Sequence, residues 1–155
     1  MTKPRPIVVI DTSVFLKDAM SPIHRGAASQ ILAILPAIAT IVMCDEIRQE
    51  ILEKFSEILG WTDKQVLTTY GPVLEAAIWV IPVPEQPWHR KVVHDDEDDT
   101  MLVRTAEAVF TEAADRIEAA QLRFVVSENK RHLKPGTSYA SFLCVTSHGL
   151  LEAIG

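Results

Sequence analysis

Five carboxylates stand side by side in "VVHDDEDDTMLVRTAEA", residues 92 to 108: Asp95, Asp96, Glu97, Asp98 and Asp99. A helix dipole favours acids in the first turn, and two would satisfy it; five exceed it. Crowded carboxylates raise one another's pKa, and a divalent cation relieves that repulsion. More polar groups fall at comparable places in the chain. Asp11 directly follows the apolar run "PIVVI", Glu50 lies in the first turns of a helix after a second such run, and Asn129 comes two residues after "LRFVVS". Oxygen donors without an accompanying His/Cys set favour Mg²⁺ or Mn²⁺ over zinc. Such ions lower the pKa of a water and stabilise the charge that builds on a phosphodiester oxygen.

Helical spacing sorts the acids. At roughly 100° per residue, Glu50 lies about 60° from Ile47, on the border of the apolar stripe, and Glu53 about 120° away. Glu50 is therefore preferred. In the acidic run, Asp95 pairs in face with Asp98 or with Asp99. Asp98 stands one turn before Met101 and Leu102, on the core side; Asp96 and Glu97 face solvent. An N-cap of the following helix is the bland alternative for Asp11.

These residues need elements to hold them. The runs 6–10, 38–44, 77–83 and 122–127 read as strands, with "YASFLCV" as a fifth. Helical stripes occupy 24–35, ending at Pro36, and the segment after Cys44, ending at Gly60. Another helix starts at an N-cap on Thr62 and breaks at Gly71-Pro72; a long one spans about 96–120, and "TSHGLLEAI" closes the chain. "DTSVFLKDA" begins a helix or turn that Ser21-Pro22 breaks, and "PEQPWHR" reads as a proline-rich loop. Strands alternating with helices predict an α/β fold, with a mainly parallel sheet of about five strands and helices on both faces. In such sheets ligands bind at the carboxyl ends of the strands, near a switch in strand order.

The bulk properties agree. The 155 residues suit a single domain, 1–155, and 48% hydrophobic with 23% charged residues is globular composition. No apolar run nears the roughly 20 residues that span a bilayer, and the N-terminal one is too short for a signal-peptide core, so a cytoplasmic protein without membrane contact is expected. Cys44 and Cys144 lack metal-ligand spacing and read as buried thiols. The net charge of −6 argues against nucleic-acid binding through the whole surface but leaves room for local basic patches at His89-Arg90-Lys91 and Lys130-Arg131-His132.

The order "IVVIDTSVFL", "CDEIRQEIL", "DDEDDTMLVRTAEA", "FVVSENKRHL" resembles the PIN domain, and more closely its bacterial and archaeal group assigned to toxin components of toxin–antitoxin systems. Ser21, Pro22, Gly26, Ile31 and Leu32 fit that group's second-helix pattern. The resemblance covers nearly the whole chain. It implies a three-layer α/β/α PIN-like fold and a Mg²⁺- or Mn²⁺-dependent site that cleaves single-stranded RNA, with Asp11, Glu50 and Asp98 as the catalytic, metal-binding acids. Ser13, Asp95, Asp99, Ser127 and Asn129 match supporting positions. It further implies a homodimer and a cognate antitoxin. Lys130, Arg131, Arg90 and Lys91 are the candidates for RNA phosphates.

Two departures stand out. The family's fourth acid falls on Asn129, which removes one negative charge; neighbouring Glu128 and the extra Asp99 are the candidates to compensate, a role that spacing alone does not establish. The stretch "VFTEAADRIEAAQL" is longer than the usual link and reads as an extended helix available for dimer contacts. The alternative function is a non-catalytic PIN-like module that binds RNA or a protein. Other acid-bearing α/β folds fit less well. A dehalogenase-type phosphatase wants Asp where Ser13 stands, and a receiver domain wants a second acid where Thr12 stands.

Overall fold

The four side chains of "IVVI" have no exposed surface, which places strand β1 (Ile7–Ile10) between two covering layers. Such a strand must be central, and it is. The sheet order is β3-β2-β1-β4-β6-β5, with β2 Thr40–Met43, β3 Ile78–Trp79, β4 Arg123–Val126, β5 Ser138–Tyr139 and β6 Phe142–Val145. All neighbours are parallel except the edge pair β5 and β6. The computed structural model describes residues 5–21, 23, 26–92, 97–119, 122–131 and 133–155.

Helices lie on both faces, giving three α/β/α layers. On one side α2 (Ala27–Ile38) packs on β2, on α1 (Thr12–Met20), on α5 (Gly71–Ala76) and on the closing α9 (Ser147–Ile154), which also touches β4 and β6. On the other, α7 (Glu97–Glu112) packs on β1 and β2 and carries α6 (Pro87–Val92) and α8 (Ala114–Ala119). Helix α3 (Asp45–Lys54) touches both α1 and α7. Its apolar stripe of Ile47, Ile51 and Leu52 is buried. A π turn, Phe55–Leu59, extends α3 and ends at Gly60 with φ 67°, a left-handed conformation that suits glycine. Helix α4 (Asp63–Thr69) starts with a capping box in which Thr62 and Gln65 satisfy each other's backbone N–H.

Several expected boundaries move. Helix α2 runs through Pro36 to Ile38: a proline near a helix end forfeits one bond, and the Ala39 N–H still closes the last turn on the Leu35 carbonyl. "PEQPWHR" is helical from Pro87, which presets φ at the first position, while His89 Nδ1 accepts the Gln86 N–H at 2.7 Å. The long helix divides at Ala113 into α7 and α8. The expected fifth strand is a hairpin, β5 and β6, turned by Ala140 and Ser141 at φ 50° and 65°. Its positive angles belong to a primed turn, but neither residue is the Asn or Gly that announces one. The second and third strands are also shorter than expected.

Cys44 and Cys144 are buried free thiols. Among the described residues, no helix is long and apolar enough to cross a membrane.

Candidate functional site

The chain crosses from β1 to β2 and β3 on one side, then returns to place β4 on the other side of β1, so β1 and β4 form the switch point. Register pairs Ile10 with Val126, which sets the next residues, Asp11 and Ser127, side by side at the carboxyl edge. The Asp11 N–H continues the ladder to the Val126 carbonyl at 2.9 Å. Asp11 is 7% exposed and heads α1 without capping it through its side chain. Asp11 thus holds the N-cap position that the bland alternative gave it, while its carboxylate is engaged chiefly by side-chain hydroxyls.

Two serine hydroxyls converge on one carboxylate oxygen. Ser13 Oγ donates to Asp11 Oδ2 at 2.6 Å and Ser127 Oγ donates to the same atom at 2.7 Å. Each hydroxyl accepts in turn a backbone N–H from the loop after β4: Glu128 N to Ser13 Oγ at 2.9 Å, and Asn129 N to Ser127 Oγ at 3.0 Å. Both hydroxyl protons are thus committed to Asp11, and the 3.4 Å approach of the two oxygens adds no further bond. Burial pushes the Asp11 carboxyl above the usual aspartate range, against the hydrogen bonds from Ser13, Ser127 and nearby backbone N–H groups that favour its charge. The described surroundings supply hydroxyls and amides to that carboxylate.

Glu50 borders a separate groove of about 360 Å³ between α3, the π turn and α7, lined also by Glu46, Glu53, Glu57, Lys54 and Met101. Glu50 is half-buried and Glu53 exposed, as the helical spacing predicts. Met101 is the α7 residue that lines this groove. The side chains of Asp98 and Asp99 lie outside what is described. Pro22, Asp95, Asp96 and His132 lie outside the described residues altogether. Among the described residues, no three His, Cys, Asp or Glu side chains cluster closely enough to hold a metal ion. The described residues therefore do not by themselves form a metal-binding group.

Among the described residues at this edge, the charged candidate donors are oxygens rather than sulfur. Cys44 follows β2 at the head of α3, but burial pushes its thiol up, so it stays protonated. Its Sγ lies 3.3 Å from Thr105 Oγ1, whose own proton goes to the Met101 carbonyl. That leaves carboxylate oxygens as the charged donors.

Glu128 does not fill the gap at Asn129. Its Oε1 accepts the Ser147 N–H at 3.1 Å and its Oε2 takes the Lys17 ammonium at 3.1 Å. Burial would raise this carboxyl, but contacts from Ser147 and Lys17 hold it below its ordinary range. It is an ionised group turned towards α1 and α9. Lys17 was not singled out from sequence, although it follows Ser13 by four residues on α1, the spacing that puts two side chains on one helical face.

The expected basic patches also change. His89 is 1% exposed and belongs to the interior. Arg90 Nε pairs with Glu85 Oε1 at 3.0 Å. Lys91, Lys130 and Arg131 are exposed, the last two on the turn just beyond Asn129. No protein-family model matches the chain, and no curated protein matches it.

Proposed function

We propose that this chain is a Mg²⁺- or Mn²⁺-dependent endoribonuclease of the PIN type, cleaving single-stranded RNA, and the toxin of a toxin–antitoxin pair. The observation that carries the reading is Asp11, a buried carboxylate at the switch point of a parallel sheet, oriented by two hydroxyls from different elements. Asp11, Glu50 and Asp98 would hold the ion. When bound, it would activate a water and offset charge on the phosphodiester. Ser13 and Ser127 fix the Asp11 rotamer before any ligand arrives, so little reorganisation remains. Lys130 and Arg131, exposed beyond β4, supply positive charge for the RNA backbone. A homodimer and a cognate antitoxin belong to the same proposal, and a small antitoxin gene next to this one would support it.

The test uses chelator-treated protein, Mn²⁺ titration and single-stranded RNA. Metal-dependent cleavage is expected, abolished with Mn²⁺ binding by Asp11→Asn. Glu50→Gln should weaken Mn²⁺ binding more than Glu53→Gln does. Protein that binds no divalent ion and leaves RNA intact at high enzyme excess, with Asn129→Asp equally inert, sinks the nuclease. A second reading, a non-catalytic RNA- or protein-binding module, draws on Asn129 and on the engagement of Glu128 elsewhere. RNA binding indifferent to chelator would favour it.

A further inference from the structure

We infer that Glu128 is a positioning residue: its carboxylate, gripped between Lys17 of α1 and the start of α9, holds the loop whose N–H groups aim both serines at Asp11. This rests on the proposed nuclease site. The bonds run in one unbroken series. Lys17 Nζ and Ser147 N each donate at 3.1 Å to a different oxygen of the Glu128 side chain. The Glu128 N–H donates to Ser13 Oγ at 2.9 Å, the neighbouring Asn129 N–H donates to Ser127 Oγ at 3.0 Å, and both hydroxyls donate to Asp11 Oδ2.

The burial pattern fits a clamp. The Glu128 side chain is 11% exposed and that of Lys17 61%, so the ion pair has one wet and one sheltered end. An exposed pair alone is worth little. Here the same carboxylate also accepts a backbone N–H, and its two partners come from two helices that flank the loop. Residue 128 is thereby pinned from both sides while its own N–H is turned towards Ser13. Ser13 lies four residues before Lys17 on α1, so one helix carries both the hydroxyl that Glu128 orients and the ammonium that holds Glu128. Both oxygens of the Glu128 side chain are taken up by partners on α1 and α9.

Glu128→Gln keeps an acceptor for the Ser147 N–H and loses the charge facing Lys17; Glu128→Ala loses both. The first readout is amide hydrogen exchange of metal-free protein by NMR, with the β1 amides reporting global opening. Protection of the Asn129 N–H should fall about tenfold or more in Glu128→Ala and less in Glu128→Gln, with β1 unchanged. The second readout is Mn²⁺ affinity and RNA cleavage. Glu128→Gln should lower kcat about tenfold, the scale of a lost supporting contact, with KM for RNA and Mn²⁺ affinity within about twofold of wild type. Lys17→Met should lower kcat too, and the double variant should be no worse than Glu128→Gln, since both act through one contact. Unchanged Asn129 protection in Glu128→Ala overturns the proposal, as does loss of Mn²⁺ binding in Glu128→Gln as complete as in Asp11→Asn, which would make Glu128 a ligand. If wild type neither binds Mn²⁺ nor cuts RNA, the nuclease reading fails, and the amide-exchange result still decides whether Glu128 orders the loop.

Discussion

Two buried polar groups, Asp11 after β1 and His89 on α6, are satisfied in different ways. At Asp11, an acid accepts hydrogen bonds from neutral hydroxyls, and burial leaves its charge without a cation among the bonds described. At His89, the ring accepts the Gln86 N–H on Nδ1, so the proton resides on Nε2 and is donated to Glu107 Oε1 at 2.8 Å. That pair completes itself. An acid oriented but not neutralised would suit the cation proposed above, whereas an imidazole with both nitrogens matched fastens α6 to α7. Burial alone does not separate a site from a strut; the charge of the partners does.

The comparison can be broken most forcefully at Asp11. If a cation completes the charge there, Mn²⁺ at a hundred times its dissociation constant should stabilise the wild type by about 2.7 kcal/mol against denaturant, and Asp11→Asn should cancel that gain. Without metal, pH gives a second handle. Because burial holds the folded carboxyl above its unfolded value, its contribution to stability is complete below the unfolded value and is lost as pH rises through the raised one. Metal-free wild type should therefore lose stability relative to Asp11→Asn across that acidic window. Parallel stability curves would remove the claim of an unneutralised carboxylate.

A smaller effect is expected at the other pole. His89→Ala leaves the Gln86 N–H and Glu107 without their partner and opens a cavity, a cost of about 2 kcal/mol in chemical denaturation. Mn²⁺ affinity of the folded variant should stay within about twofold. A matching collapse of metal binding would show that His89 belongs to the site after all.

The smallest effect sharpens the surface contrast between the two basic stretches. Replacing Lys130 or Arg131 by Ala should lower the slope of log affinity against log salt by about 0.7 each for single-stranded RNA. Arg90→Ala should leave it unchanged, since Glu85 already engages that guanidinium. Equal changes at all three would return the 89–91 stretch to the RNA surface.

Legibility followed range. Buried strands announce themselves as β-branched runs, so β1, β2 and β4 and their alternation with helices could be read directly, and with them the place of Asp11. Local end signals worked where the chemistry was local: Gly60 and the Thr62 capping box lie where they were expected. They failed where packing overrode propensity. Pro36 stays inside a helix whose last turn closes on the Leu35 carbonyl, Pro87 opens one that His89 stabilises from within, and the Ala140-Ser141 turn carries no residue that marks it. The basic look of "HRK" misled for the same reason. His89 is buried by α7, a neighbour that its sequence context does not reveal.

By itself, then, the sequence determined an α/β/α arrangement and an acid at the end of its first strand, because periodicity and strand composition act over a few residues. Only the tertiary structure decided that Ser13 and Ser127, 114 residues apart, meet on one oxygen of Asp11. It also decided that Glu128 turns away to Lys17 and Ser147, and that His89 is a strut. Those outcomes depend on which strands become neighbours across the switch point and which helix covers them. No short stretch of chain encodes that, because the contacts exist only once the sheet has closed around β1.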